Sequence, residues 1–408
     1  MDRIRFGVFD HIEHLPGVSL SKLYADRLTQ MEALDEAGFF AYHLAEHHTP
    51  AVHSMAPSQN VFLSAAAQRT ERLRFGPGVY VLPLHHPLRL IEEVSMLDHL
   101  SGGRLEIGVG RGGVLEAFFW GQEGDEAANA QRYEEVLASL RNGLANDELT
   151  FQGEYFNFDR VPMRLRPFQQ PTPPFWYMRN PETAAQNGMN CIVVGSLDTL
   201  EANVVRYHRI WDQHNPPMTA QGRPPMIGLV VHTLLAEDEQ TAIAEAEPAA
   251  KAYGYNLGAP RRLEAERRGL TQFTQRADSG AAQRGGPERH RAVDERRDLD
   301  ASLQALAKEE REQRDARRRT PGGIPGFVVG TPETVVGYFD EYLKTGANYM
   351  VLSFQWGSLS HEQAMRSIRL FREHLAPRFA LADPFTFNEM HKDRALAEER
   401  GAAMGGPA

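Results

Sequence analysis

The sequence predicts an α/β fold, a (β/α)8 TIM barrel with a long insertion after its seventh strand. Three observations predict it. Short apolar runs alternate with amphipathic helical runs along most of the chain, eight strands of this kind can be counted, and the rhythm fails only between about residues 236 and 326. Such alternation specifies a parallel sheet flanked by helices, and eight is the number of strands that closes a barrel. An open doubly wound sheet is the alternative that pattern alone leaves open.

The first strand is "IRFGVFD", Ile4 to Asp10. A helix from about Ser19 to Ala37 follows, with Leu20, Leu23, Leu28, Met31 and Leu34 on its apolar side and Gly38 in the position that ends helices. "FFAYHLA" is the second strand, with a helix from Ser58 to Arg69. "LRFGPGVYVL" is the third, with a helix from Leu88 to Leu100. "RLEIGVG" is the fourth, and "VLEAFFWGQEGDEAANAQRYEE" reads as a loop before a helix from about Ala130 to Asn142. "LTFQGEYFNFD" has the alternation and central Gly of a hairpin. "PPFWYMR", "NCIVVG" and "MIGLVVHTLLA" are strands five to seven, with helices Pro181 to Asn187 and Leu197 to His214 after the first two. Beyond the insertion come "GFVVG", a helix from Pro332 to Thr345, "NYMVLSFQW" as strand eight and a helix from Glu362 to Leu375. One domain, residues 1–380, is expected, with 236–326 as an inserted lid and 381–408 as a frayed tail.

Charge and cysteine content narrow the function. Lys plus Arg (44) against Asp plus Glu (54) gives a net charge of −10, which argues against generic nucleic-acid or anionic-membrane binding. Residues 261–319 hold 16 basic and 12 acidic side chains, and mixed signs at helical spacing read as a solvated surface. Part of this region, "SGAAQRGGPERH", is rich in Gly and Arg, and Asp298 to Arg319 reads as a charged helix. The single cysteine, Cys191, excludes an internal disulfide framework and suits a reducing cytosol. "MDRIRFGVFDH" has no signal-peptide core, and no apolar run is long enough to span a membrane. A cytoplasmic protein is therefore expected.

Two motifs could carry chemistry. His43, Glu46 and His47 in "YHLAEHHTP" match H-x-x-E-H, a zinc-peptidase pattern that requires a helix. Here the segment reads as a strand, in which His43 and His47 lie roughly 13 Å apart, too far to share a zinc ion. No metal is expected. What remains is Glu46, His47 and His48 at the end of a strand, which in a barrel is the catalytic face. "GVGRGG", Gly108 to Gly113, matches a dinucleotide-binding loop, but it follows the fourth strand and lacks the acidic residue some 20 positions on. It offers flexible backbone beside Arg111, and Arg132 in the next helix adds a second guanidinium; together these suit a phosphate group. The glycines of "GPGVY" mark a bulge, a kink or a ligand's close approach. His85 and His86 are given no role, and Phe9, Tyr80 and Trp356 are assigned to core packing rather than to a pocket wall.

The blocks "GFFAYHLAEHHTP", "LRFGPGVYVLPLHHPLRLIEEVSMLDHLSGGRLEIGVGRGG", "PTPPFWYMRNPETAAQNG", "VVGTPETVVGYFDEYLKTGANYMVL" and "RSIRLFREHLAPRF" resemble the bacterial luciferase-like flavin-dependent monooxygenases. The resemblance runs in order from about Arg3 to Phe379 and fails only in the insertion. "EHH", "VLP-x-x-HP" and "SGGR-x-x-x-G-x-x-RG" at these spacings are its specific part. It implies a barrel binding reduced FMN at the C-terminal face, or a deazaflavin in some subgroups, and the "EHH" form favours FMN. By position, Glu46 and His47 match the family's catalytic pair, with His47 beside the flavin. Gly78 and Val79 match a non-prolyl cis peptide under the flavin ring. Arg111 and Arg132 match phosphate-binding arginines, and Asn180 and Thr183 match phosphate contacts at a helix N-terminus.

Two departures count against light emission and aldehyde specificity: Gly110 replaces a cysteine of true luciferases, and Arg179–Asn180 replaces Glu-Ser. The implied activity is monooxygenation of a small organic substrate with reduced FMN and O2. A separate NAD(P)H-dependent flavin reductase would supply the FMN, and the protein would be a homodimer. The rival expectations are an FMN or deazaflavin oxidoreductase passing hydride without O2, a non-enzymatic flavin-binding relative and, most distantly, a zinc hydrolase.

Overall fold

Parallel strands buried on both faces read as near-continuous apolar runs, and the chain supplies them in chain order around a barrel. The computed structural model describes residues 4–48, 53–215, 223–270 and 320–380. The sequence readings for "SGAAQRGGPERH", for Asp298 to Arg319 and for the tail beyond 380 lie outside the described residues.

Strand β1 (Arg5–Asp10) leads to helix α1 (Leu20–Glu36), then β2 (Ala41–Leu44) and α2 (Gln59–Ala67). The third stave is broken into β3 (Arg74–Pro77) and β4 (Tyr80–Val81), followed by α3 (Pro87–Leu100) and β5 (Ile107–Gly110). Next come two helices, α4 (Val114–Phe119) and α5 (Glu126–Ala145), and the antiparallel hairpin β6 (Glu148–Gln152) and β7 (Asn157–Pro162). The staves resume with β8 (Phe175–Met178), α6 (Pro181–Gln186), β9 (Asn190–Val193), α7 (Leu197–His214) and β10 (Ile227–Leu235). Helix α8 (Glu239–Arg267), β11 (Phe327–Gly330), α9 (Pro332–Lys344), β12 (Tyr349–Ser353) and α10 (His361–Leu370) complete it.

Hydrogen-bonded neighbours run β3-β2-β1-β12-β10-β9-β8-β5-β4. Because β3 and β4 are halves of one stave, this path returns to its start, and the Phe75–Leu105 bridge makes the seam. The eight-stave barrel read from the sequence is therefore the fold. "GFVVG" is not a stave: as β11 it pairs with the outer half of the long β10, Leu235 opposite Gly330. The seam demands glycine at Gly76, where a Cβ would meet the Glu106 carbonyl oxygen at 1.8 Å.

Two sequence readings are corrected. The stretch after β5 is not all loop, since Val114–Phe119 forms α4, and the next helix begins at Glu126 rather than near Ala130. Asp125 starts α5 early because its side chain accepts the Ala128 N–H at 2.8 Å.

The N-terminal end of the barrel is filled by an ionic layer rather than by a ligand. Buried Glu106 pairs with Arg74, with Arg223 at 3.2 Å, and accepts the Trp176 Nε1–H at 2.6 Å. Charge pairing at this end serves stability, which leaves the C-terminal mouth for function. Helix α8, the first part of the insertion, packs Ala242, Ala246 and Ala249 against Leu234, Trp356 and Leu359. From there it runs across the mouth, where Asn256 donates to Glu13 at 3.0 Å.

Candidate active site

The mouth is built from the segments that leave β1, β2, β4 and β5. Beyond β2 the chain turns through Glu46, His47 and His48. Glu46 is buried, and its carboxylate accepts from His48 Nε2 at 2.7 Å, from His85 Nε2 at 3.0 and 3.1 Å, and from the Val81 N–H at 3.1 Å. Burial alone would raise this carboxyl; the His85 charge and the bonds from His48 and His85 outweigh it and hold it at about 2. Burial likewise works against a charged His85, but Glu46 prevails and pushes its pKa above the usual value. Glu46 is thus the anionic hub of a buried ion pair that ties the exit of β2 to the exit of β4.

The same two exits hold the peptide between Gly78 and Val79, which is cis. The Gly78 N–H donates to the Leu44 carbonyl at 2.6 Å, and the Val79 carbonyl accepts from Gln59 Nε2 at 3.1 Å. Gly110, at the end of β5, faces this peptide: a Cβ there would sit 2.5 Å from Val79 Cγ2. Among the described residues, two of the three non-glycine residues with left-handed backbones also follow mouth-side strand ends, Ile12 (φ 52°) after β1 and Arg179 (φ 77°) after β8. Such conformations concentrate at ligand-binding positions.

His47 turns away from Glu46, toward the insertion. Its Nδ1 lies 2.5 Å from Arg261 Nη2 and 3.5 Å from Glu116 Oε1. Arg261 also donates to Glu116 at 3.0 Å, and Glu116 accepts the His48 N–H at 3.0 Å. Burial lowers the His47 pKa, the Glu116 bond opposes this in part, and the Arg261 charge adds to the lowering. The ring is therefore neutral at pH 7. Because guanidinium only donates, Nδ1 is the accepting nitrogen and the ring proton sits on Nε2. The His47 ring also adjoins His53 (centroids 4.2 Å apart) and stacks at 5.7 Å on His11, which follows β1.

The other residues matched by position are less concentrated. Arg111 leaves β5 at the mouth, half exposed, with Glu126 at 3.3 Å. Arg132, on α5, is turned to Glu123 at 2.9 Å and lies 3.7 Å over the Tyr155 ring. Asn180 caps α6, its side-chain oxygen accepting the Thr183 N–H at 3.1 Å. Both ends of that bond are thus engaged, and the Arg132 pair is a surface one that a stronger anion can displace. For a flavin the donor set fits: a half-exposed guanidinium at Arg111 whose Glu126 pair an anion can displace, the cis Gly78–Val79 backbone, and a neutral imidazole at His47.

The H-x-x-E-H zinc pattern does not converge. His43 lies on β2 with its Nε2 2.8 Å from Tyr349 Oη inside the barrel, while Glu46 and His47 face different partners. Phe9, Tyr80 and Trp356 are buried, in keeping with core packing. Sequence reasoning missed His85, Glu116, Arg261, His11 and His53. The one available signal was "VLPLHHP", whose 3-10 turn, Leu82–Leu84, folds His85 back onto Glu46.

Comparison with known proteins bears on the family and the fold. The family model for luciferase-like monooxygenases matches residues 4–349. The uncharacterised protein y4wF of Sinorhizobium fredii is 48% identical over 198 residues, which is 47% of this chain and 57% of that protein. This chain thus matches little more than half the length of that relative. The oxygenase component of the flavin-dependent trigonelline monooxygenase of Acinetobacter baylyi is 30% identical over 258 residues, 62% of this chain and 71% of that one. Among solved structures, the oxygenating constituent of 3,6-diketocamphane monooxygenase of Pseudomonas putida, a type II Baeyer-Villiger enzyme in complex with FMN, superposes with a TM-score of 0.64. It covers 93% of this chain and 99% of its own at 17% identity, a likeness of fold. The chain belongs to the luciferase-like monooxygenase family.

Proposed function

We propose that this protein is the oxygenase component of a flavin-dependent monooxygenase, taking reduced FMN from a separate NAD(P)H-dependent flavin reductase and oxygenating a small organic substrate. The observation that carries the reading is the bracing of two neighbouring strand exits through Glu46, which precedes a neutral His47 and accepts the Val81 N–H just after the cis Gly78–Val79 peptide. Reduced FMN, when bound, supplies two electrons to O2, so that one oxygen atom enters the substrate and the other leaves as water. Arg111 holds the phosphate, and Arg132, Asn180 and Thr183 complete its surroundings. The Gly78–Val79 backbone supports the flat ring, and Gly110 gives the Val79 side chain its space. His47, with its proton on Nε2, offers a hydrogen-bond donor to the flavin side. Glu46 acts through structure: its ion pair with His85 fixes the loop that carries His47. Helix α8 reaches His47 through Arg261, so this first part of the insertion acts as the lid that excludes water. The protein is expected to work in the cytoplasm as a homodimer.

The test uses the full chain. Anaerobic titration with reduced FMN, read by fluorescence, should saturate, and O2 should then be needed for turnover of a substrate panel, with 18O2 label appearing in product. His47→Ala should keep FMN affinity within a few-fold and lose oxygenation. Full oxygenation by His47→Ala would remove its role. Failure to bind reduced FMN, with deazaflavin binding and O2-independent turnover instead, would replace the reading by hydride transfer.

A further inference from the structure

One ring nitrogen from each of His11, His47 and His53 lies within 4.8 Å of the other two. The three side chains come from two neighbouring strand exits, His11 directly after β1 and His47 and His53 after β2. His11 and His53 are buried, and among the described residues neither ring nitrogen of His53 makes a hydrogen bond of normal geometry, the Asn256 backbone giving it a marginal contact. A buried imidazole without partners is costly, because each ring nitrogen has left water without a replacement. The cluster therefore holds unspent donor capacity aimed inward.

We propose that His11, His47 and His53 form a three-imidazole site for a borderline divalent cation of the Zn2+, Co2+ or Ni2+ type, with its fourth position open. Imidazole nitrogen is the ligand that such cations favour, and three protein ligands with an open position is a common tetrahedral arrangement. The ligand atoms of a tetrahedral site stand roughly 3.3 Å apart at metal–nitrogen distances of about 2.0–2.1 Å, so binding draws the rings together by up to about 1.5 Å.

Burial drives His11 well below the usual value, with His47, His53, His232 and Arg261 adding to it. Burial takes His53 down to about 2, and His47 is lowered as described. His47 has its Nδ1 engaged by Arg261, which leaves Nε2 to ligate. Its proton then moves to Nδ1, where Glu116 at 3.5 Å accepts it in place of Arg261. A carboxylate on the far nitrogen of a metal-bound histidine is the usual second support. Glu116 also offsets the like charge of Arg261, which must turn aside. This site is separate from the H-x-x-E-H pattern: of that trio it uses only His47.

The binding itself does not depend on flavin. Only its consequence does, namely that a bound cation withdraws His47 from the flavin side. The experiment therefore uses the untagged full chain, stripped with chelator and free of flavin. Zn2+ is titrated by calorimetry, and Co2+ by visible absorption. The wild type should bind about one equivalent, and Co2+ should develop the intense bands of a tetrahedral nitrogen site. His53→Ala and His53→Phe, the latter keeping a ring in place, should each lose more than the roughly 10- to 100-fold that removing an outer-shell partner costs. His374→Ala, an exposed histidine elsewhere, should bind as wild type. Absence of stoichiometric binding, octahedral Co2+ spectra, or unchanged affinity in both folded His53 variants would overturn the site. None of these outcomes bears on whether reduced FMN binds, so the two readings fail separately.

Discussion

Replacing Glu46 by Gln keeps the shape of the buried hub and removes its charge. In the folded protein this carboxyl is held at about 2 against an ordinary 4.5. At about 1.4 kcal/mol per pKa unit, that difference corresponds to roughly 3 kcal/mol near pH 6, an order-of-magnitude figure. The sign follows from linkage. A depressed carboxylate contributes stability that is fully present above 4.5 and is lost as pH falls through about 2, with roughly half remaining at about pH 3. His85 runs the other way: raised above 6.5, it contributes stability that is fully present below 6.5 and is lost as pH rises through its folded value. The pair therefore contributes most between pH 4.5 and 6.5. Urea unfolding of the wild type, Glu46→Gln, His85→Phe and the double variant supplies a double-mutant cycle. At about pH 5.5 a coupling of roughly 2–3 kcal/mol is expected, shrinking at about pH 3 and at about pH 9. A Glu46→Gln penalty below about 0.5 kcal/mol, or one that is the same at all three pH values, would refute the ion-pair account.

Three further outcomes follow from the geometry. Gly76→Ala forces a Cβ to 1.8 Å from the Glu106 carbonyl at the barrel seam, so a loss of about 3 kcal/mol or more, seen as insoluble or early-melting protein, is expected; wild-type melting would show that the seam relaxes. Arg111→Ala should weaken reduced FMN binding by about tenfold or more while leaving the melting temperature alone, because the Glu126 pair it breaks is exposed. Equal FMN affinity would move the phosphate elsewhere. Arg261→Ala should raise the His47 pKa and Glu116→Gln should lower it, since the cation opposes imidazolium and the carboxylate supports it; NMR titration of the ring reads both, and a downward shift in Arg261→Ala would contradict the contact.

Which features were legible in the sequence follows the range of the interactions involved. The strand at Ala41–Leu44 was readable because its buried run and the Gly38 stop are local, and this alone was enough to reject the helix that the zinc pattern needs. The loop reading of Val114–Phe119 failed because Gly112, Gly113 and Gly121 flank a helix of only six residues, too short for a periodic signal. His85 stood in the quoted pattern, yet nothing local says that a 3-10 turn aims it at Glu46, 39 positions earlier. Arg261 is 214 positions from His47 and lies in the segment that least resembles the family.

By itself the sequence determined the barrel, its insertion point and the strand end that carries Glu46 and His47, because buried runs and helix stops act over a few residues. Only the tertiary structure decided the charges at the mouth. Burial and contact between distant segments make Glu46 an anion, His85 its cation and His47 a neutral ring, and they bring His11 and His53 to it. Those states depend on what is excluded from water, and that is settled only when the chain has closed.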